Sequence, residues 1–206
     1  MVKICPSIAS GNLLQVAQEL DYIDKYFNEL HIDIEDGHAV NTISFGFKMA
    51  EMICDYSKSK KTMHLEIDNP LKFMDKVKAL DLDVVFIEVD CLNNPCEVIK
   101  KYQENKIHVG INLSHLDMDR KDLNSIINLS DYILVNTTHH DDINQICDID
   151  MVKYAIQLSE IGKKVWIDGG INYEIYEQVK NTKIYAAVMG RAIFENRELA
   201  IQRYTI

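Results

Sequence analysis

The hydrophobic pattern of this chain switches between a period of two and a period of 3.6, back and forth, over all 206 residues. Strand-like segments fall at Val2–Ile8, Glu29–Ile34, Lys61–Ile67, Asp83–Val89, Lys106–Leu113, Asp131–Thr137, Lys163–Asp168 and Lys183–Met189. A helical pattern follows each: Asn12–Phe27, Gly46–Tyr56, a helix opened by Asn69-Pro70, Pro95–Glu104, Arg120–Ile127, Asp148–Ile161, Tyr173–Lys180 and Ala192–Arg203. The runs Asp83-Val84-Val85-Phe86-Ile87 and Tyr132-Ile133-Leu134-Val135 are almost wholly apolar. Strands buried on both faces of a parallel sheet read this way. The alternation predicts an α/β fold, and eight βα units predict a closed (β/α)8 TIM barrel over residues 1–206 as one domain. A doubly wound open sheet with the same order is the alternative.

Composition narrows the partners. A formal net charge of −10 argues against nucleic acid and anionic membranes, which need basic patches. No apolar run approaches the roughly 18 residues of a membrane span. Strand pattern begins at Val2, which leaves no room for a signal peptide. The five cysteines, Cys5, Cys54, Cys91, Cys96 and Cys147, are odd in number and scattered, unlike a disulfide framework. A cytoplasmic protein with reduced thiols is expected.

Four residues of metal-ligand type stand near the ends of these strands: His31 and Asp33 on the second, His64 on the third and Asp168 on the seventh. His31 and Asp33 are two apart and so share a face of their strand. In a barrel the active site lies at the carboxyl ends of the strands, where these residues fall. Inward carboxylates are costly to bury unless a cation or protons compensate them. Two imidazoles and two carboxylates make a ligand set for one divalent cation, and Zn, Fe, Mn and Co all suit it.

At this point the chain resembles the ribulose-phosphate 3-epimerase family over almost its whole length. Pro6-Ser7 is similar to the family's first-strand signature. His31-Ile-Asp33-Ile-Glu35-Asp36-Gly37-His38 resembles its His-x-Asp-x-Met-Asp-Gly motif, and His64-Leu65-Glu66-Ile67-Asp68-Asn69-Pro70 its His-Leu-Met-x-x-x-Pro motif. Asp168-Gly169-Gly170 matches its seventh-strand Asp-Gly-Gly. The resemblance implies that His31, Asp33, His64 and Asp168 hold one divalent metal. It also implies that Asp33 and Asp168 act as acid and base on opposite faces of a ketose, with Ser7 near the substrate. Epimerisation beside a ketone takes a proton from carbon and returns one to the other face, which a carboxylate on each side can do.

The departures bear on the substrate. Glu35 and Glu66 stand where the family has methionines, Glu88 aligns with a family histidine, and the sixth strand ends Asn136-Thr137-Thr138 instead of Met-Thr-Val. These glutamates either line the site or sit on a solvated rim. The family's glycine-rich sixth loop is replaced by His139-His140-Asp141-Asp142-Ile143-Asn144-Gln145, whose acids repel phosphate. Gly169, Gly170 and Gly190 persist, and Arg191 adds a positive charge beside them. His38, His108 and His115 are assigned as structural or exposed.

The expected activity is metal-dependent 3-epimerisation of a ketose phosphate or ketose. Substrate contacts are expected from Ser7, Glu35, Glu66, Asn136, Gly169, Gly170, Gly190 and Arg191. A carbohydrate isomerase or lyase on the same barrel, or a non-enzymatic binding relative, are the competing readings. The expected partners are a small sugar or sugar phosphate and further copies of the chain in a homo-oligomer, with neither nucleic acid nor membrane.

Overall fold

The computed structural model describes residues 1–138 and 145–205. Eight parallel strands form one sheet: β1 (Lys3–Pro6), β2 (Glu29–Glu35), β3 (Lys60–Glu66), β4 (Val84–Glu88), β5 (Val109–Leu113), β6 (Tyr132–Asn136), β7 (Lys164–Asp168) and β8 (Ala186–Met189). Their spatial order is β1-β8-β7-β6-β5-β4-β3-β2, so each strand neighbours the next in sequence. A parallel bridge from Ser7 to His31 closes β1 onto β2 and completes the barrel. The open doubly wound alternative is thereby excluded, because it would leave two free edges.

Strand alternation divides the side chains into two cores. Outward residues such as Ile32, Met63, Leu65, Ile111 and Ile167 pack under the helices in the larger cluster. The smaller cluster fills the barrel interior with Cys5, Val84, Phe86, Leu134, Trp166, Ala186 and Val188. Phe86 and Trp166 meet edge-on at 5.1 Å between ring centres. Gly110 makes room for this pair, since a Cβ there would lie 2.6 Å from the Phe86 ring. Above this apolar plug, towards the carboxyl ends, the inward positions turn polar.

The helices are α1 (Val16–Tyr26), α2 (Phe47–Tyr56), α3 (Met74–Ala79), α4 (Pro95–Glu104), α5 (Leu123–Leu129), α6 (Ile149–Glu160), α7 (Tyr173–Val179), α8 (Arg191–Phe194) and α9 (Arg197–Tyr204). Asn94, Asp148 and Asn172 cap α4, α6 and α7 by accepting backbone N–H bonds, the preferred chemistry for orphan donors at a helix start. The last helical segment differs from the sequence expectation. Asn196 accepts from Leu199 N and starts α9 afresh, so the continuous Ala192–Arg203 pattern is two helices. The first strand is also shorter than expected, because Ile8–Ser10 turns into a 3-10 helix after Pro6. Among the described residues no helix is long and apolar enough to cross a membrane.

Candidate active site at the barrel mouth

Register decides which polar residues meet. Asp33 pairs with His64 across β2 and β3, and Glu35 pairs with Glu66 one layer higher. Glu88 pairs with Asn112, and Asn136 with Asp168. All of these positions face inward. They lie beside or within a cavity of about 840 Å³ at the carboxyl ends of the strands, a volume suited to a small metabolite.

His31, Asp33, His64 and Asp168 come together with one donor atom of each within 4.8 Å of the others. His31 Nε2 is 3.1 Å from Asp33 Oδ1 and 3.9 Å from Asp168 Oδ2. His64 Nδ1 is 4.0 Å from Asp33 Oδ1. Ser7 Oγ donates to Asp33 Oδ2 at 2.6 Å. His31 is fully buried, yet its Nε2 has no hydrogen-bond partner. An orphaned buried imidazole nitrogen facing two carboxylates fits a divalent cation.

The electrostatics separate the two aspartates. Burial works against the Asp33 charge, but the neighbouring His31 and His64 and the Ser7 hydroxyl outweigh it and bring its pKa down to about 2. Asp168 goes the other way. Burial, with the nearby Asp33 charge, raises it to about 6 although His31 and His64 pull it down. Burial disfavours the charged histidines too, but Asp33 carries His31 well above its ordinary range, and Glu66 and Glu88 carry His64 up to about 9.

The glutamates do not behave alike. Glu88 is 1% exposed, and Oε1 lies 2.7 Å from His64 Nε2. The solvated-rim reading fails for this residue. Glu66 lines the cavity with Oε1 3.9 Å from His64 Nδ1, and burial pushes its carboxyl well above the usual range. Glu35 is half-buried beside it, and burial raises its carboxyl as well.

On the opposite wall, Gly169 and Gly170 have φ of +105° and +66°. A Cβ on Gly170 would collide with Gln145 O, so glycine is required there. Gly190 lines the cavity and has no room for a side chain beside Ser10. Arg191 is exposed, and its Nη2 donates to Gln145 Oε1 at 3.2 Å. Residues 139–144 of the altered sixth loop lie outside the described residues.

His38 and His108 are exposed and His115 is half-buried, in keeping with their assignment. All five cysteines are free. Thr62 and Asn112 escaped the sequence reading. Thr62 Oγ1 lies 2.7 Å from His31 Nδ1, and Asn112 Nδ2 donates to Glu88 Oε1 at 2.8 Å. Thr62 is two residues before His64, so strand alternation puts it on the same inner face. Asn112 is a polar residue inside an apolar strand, which is also a readable signal.

Fold and site together define a TIM-barrel enzyme with a candidate metal centre at the carboxyl ends of its strands. Residues 3–194 match the model of the ribulose-phosphate 3 epimerase family, and the chain belongs to that family. The chain is 22% identical to the ribulose-phosphate 3-epimerase of Helicobacter pylori (strain J99), covering 98% of this chain and 95% of that one. It is 28% identical to the Chlamydia trachomatis enzyme of the same name, covering 84% and 78%. Among solved structures, the tryptophan synthase A-subunit from Pyrococcus furiosus superposes with a TM-score of 0.70 at 14% identity, covering 99% and 98% of the two chains. Orotidine 5'-monophosphate decarboxylase from Methanocaldococcus jannaschii gives 0.67 at 11% identity with full coverage of both. These structural likenesses concern the barrel. Family membership makes the protein an isomerase of the carbohydrate-epimerase class, which sets aside a non-enzymatic role.

Proposed function

We propose that this single-domain enzyme inverts the configuration at carbon 3 of a ketose phosphate, with Asp33 and Asp168 as its acid/base pair. One observation carries the reading: two carboxylates converge with two buried imidazoles in one cavity at the carboxyl ends of the strands. Asp33 is ionised at neutral pH and accepts the proton from carbon, held by the Ser7 hydroxyl at 2.6 Å. Asp168, at the end of β7 beside the same cavity, returns a proton from the other side. Epimerisation in the reverse direction exchanges the two roles.

His31, Asp33, His64 and Asp168 would hold one divalent cation, with Zn, Fe, Mn and Co as candidates. Bound there, the cation supplies positive charge to the oxygens that become negative when the carbon proton leaves. Asn136 and Glu66 border the same cavity and are assigned to substrate hydroxyls, with Glu35 beside Glu66. Gly169, Gly170, Gly190 and Arg191 are assigned to the phosphate end. Glycine backbone approaches an anion closely, and a guanidinium adds a charge-assisted bond.

The test is exchange in deuterated water with a panel of ketoses and their phosphates, cation present. Deuterium at carbon 3 of a ketose phosphate is the expected result. No incorporation in any pentulose or hexulose derivative would overturn the assignment.

A further inference from the structure

His64 turns one ring nitrogen to the candidate centre and the other to a buried carboxylate. Its Nδ1 faces Asp33 Oδ1 at 4.0 Å, while Nε2 lies 2.7 Å from Glu88 Oε1. That second contact is oblique, within ion-pair distance but outside straight hydrogen-bond geometry. Glu88 is 1% exposed and stands behind His64 instead of among the residues that line the cavity. Asn112, fully buried on β5, donates to the same Glu88 oxygen at 2.8 Å. The run is therefore Asn112 to Glu88 to His64, from the barrel wall to the centre.

His31 is held in a parallel way by different chemistry. Its Nδ1 lies 2.7 Å from Thr62 Oγ1, and that hydroxyl points to Leu30 O at 3.4 Å. A threonine hydroxyl that donates to a carbonyl accepts from the ring, so Nδ1 carries the proton. Nε2 is then the nitrogen turned to the centre, facing Asp33 and Asp168. Each imidazole thus has a support on one nitrogen and the centre on the other.

We infer that Glu88 is a positioning residue for His64: it accepts the Nε2 proton, fixes the ring's plane and tautomer, and leaves the Nδ1 lone pair to the divalent cation. The inference rests on the four-residue centre proposed above and adds a fifth residue that does not touch the cation. A carboxylate behind a ligating imidazole orients the ring and raises its basicity, and its loss commonly weakens metal binding 10–100-fold. A carboxylate this deeply buried is costly without partners, and His64 and Asn112 provide them. The position is one where this chain departs from the pattern it resembles, so the support belongs to this sequence.

The test is cation affinity, measured on the full chain stripped of metal and titrated with Zn2+ against a chromophoric chelator, with Co2+ as a spectroscopic probe. Wild type is expected to bind one equivalent. Glu88→Gln is expected to bind about 10–100-fold more weakly and to shift the visible Co2+ spectrum. Glu88→Asp is expected to recover part of the affinity, which a merely space-filling role would not require. Should Glu88→Gln fail to fold, long-range proton–nitrogen NMR of the Zn2+-loaded wild type reads the same point. It should find Nε2 of His64 protonated and Nδ1 metal-bound, and the reverse arrangement overturns the inference. Wild-type affinity and spectrum in a folded Glu88→Gln protein overturn it too, while the metal centre stands. A wild-type chain that takes up no cation overturns the centre and this inference together.

Discussion

Ser7 is bridged to His31 across the seam that closes the barrel, and its hydroxyl reaches past that bridge to Asp33 at 2.6 Å. One residue therefore ties barrel closure to the orientation of the proposed base. β1 ends just before it at Pro6, so the seam and the site share a boundary.

Removing that hydroxyl tests its role at the site, since the backbone bridge remains. Ser7→Ala keeps the backbone bridge and loses a charge-assisted hydrogen bond, worth roughly 1.5–3 kcal/mol. A fall in kcat/KM of about tenfold to a hundredfold is expected, together with a drop of several degrees in the melting temperature. A lower melting temperature with kcat/KM unchanged in the folded protein would mean that Ser7 serves stability alone.

Asp168→Asn should leave a folded barrel that hardly turns over. The amide nearly preserves volume but cannot accept the transferred proton. Loss of a general acid or base typically costs ~10²–10⁴-fold. Circular dichroism checks the fold, and deuterium exchange at carbon 3 checks the chemistry. Wild-type exchange in the cation-loaded variant would remove Asp168 from the mechanism.

Cation uptake should release protons, and more so at neutral than at alkaline pH. His64 is raised to about 9, and burial and its neighbours leave Asp168 at about 6. Ligation needs both deprotonated, so apparent affinity rises with pH until about 9 and is steepest below about 6. The cation-free chain runs the other way. A histidine raised on folding contributes stability in full below its unfolded pKa of ~6.5, and loses it as pH climbs. For His64 that loss is complete only above about 9. Proton release into weak buffer on adding Zn2+, together with melts from pH ~6 to ~9.5, measures both slopes. A pH-independent affinity would contradict the protonated imidazoles.

Arg191→Ala should raise KM for a phosphorylated ketose and leave the free sugar unaffected. A charge-assisted contact is worth roughly 1.5–3 kcal/mol, and the exposure of Arg191 favours the lower end. Steady-state kinetics with matched ketose and ketose phosphate decide. Identical parameters for the variant and wild type on both compounds would remove Arg191 from the phosphate site.

Gly110→Ala should destabilise without touching the site. Its Cβ would lie 2.6 Å from the Phe86 ring and 2.8 Å from Tyr132 O. Overpacking of this kind costs typically ~1–3 kcal/mol, a drop of several degrees in Tm for a chain of this size. A thermal melt that matches wild type would show that Phe86 relaxes freely.

The alternation of periods carried the architecture. Eight strands appear in the expected places, because an outward face under helices and an inward face around Phe86 and Trp166 both demand apolar residues. Boundaries were less readable. The break at Asn196 depends on a side chain accepting from Leu199 N, and nothing in the apolar spacing of Ala192–Arg203 marks it.

The candidate site was legible where residue type and strand position coincide. His31, Asp33, His64 and Asp168 could be picked out because an ionisable residue near the end of a barrel strand faces the common axis. The fate of Glu88 could not. In sequence it is one of three glutamates open to the same two readings, and strand alternation alone puts all three inward. Only the closed barrel, with Glu88 paired to Asn112 on one side and facing His64 Nε2 on the other, decides that it is buried behind the centre while Glu35 and Glu66 stand towards the mouth. Depth along the axis is set by the stagger of strands from opposite parts of the chain, and no local pattern encodes it.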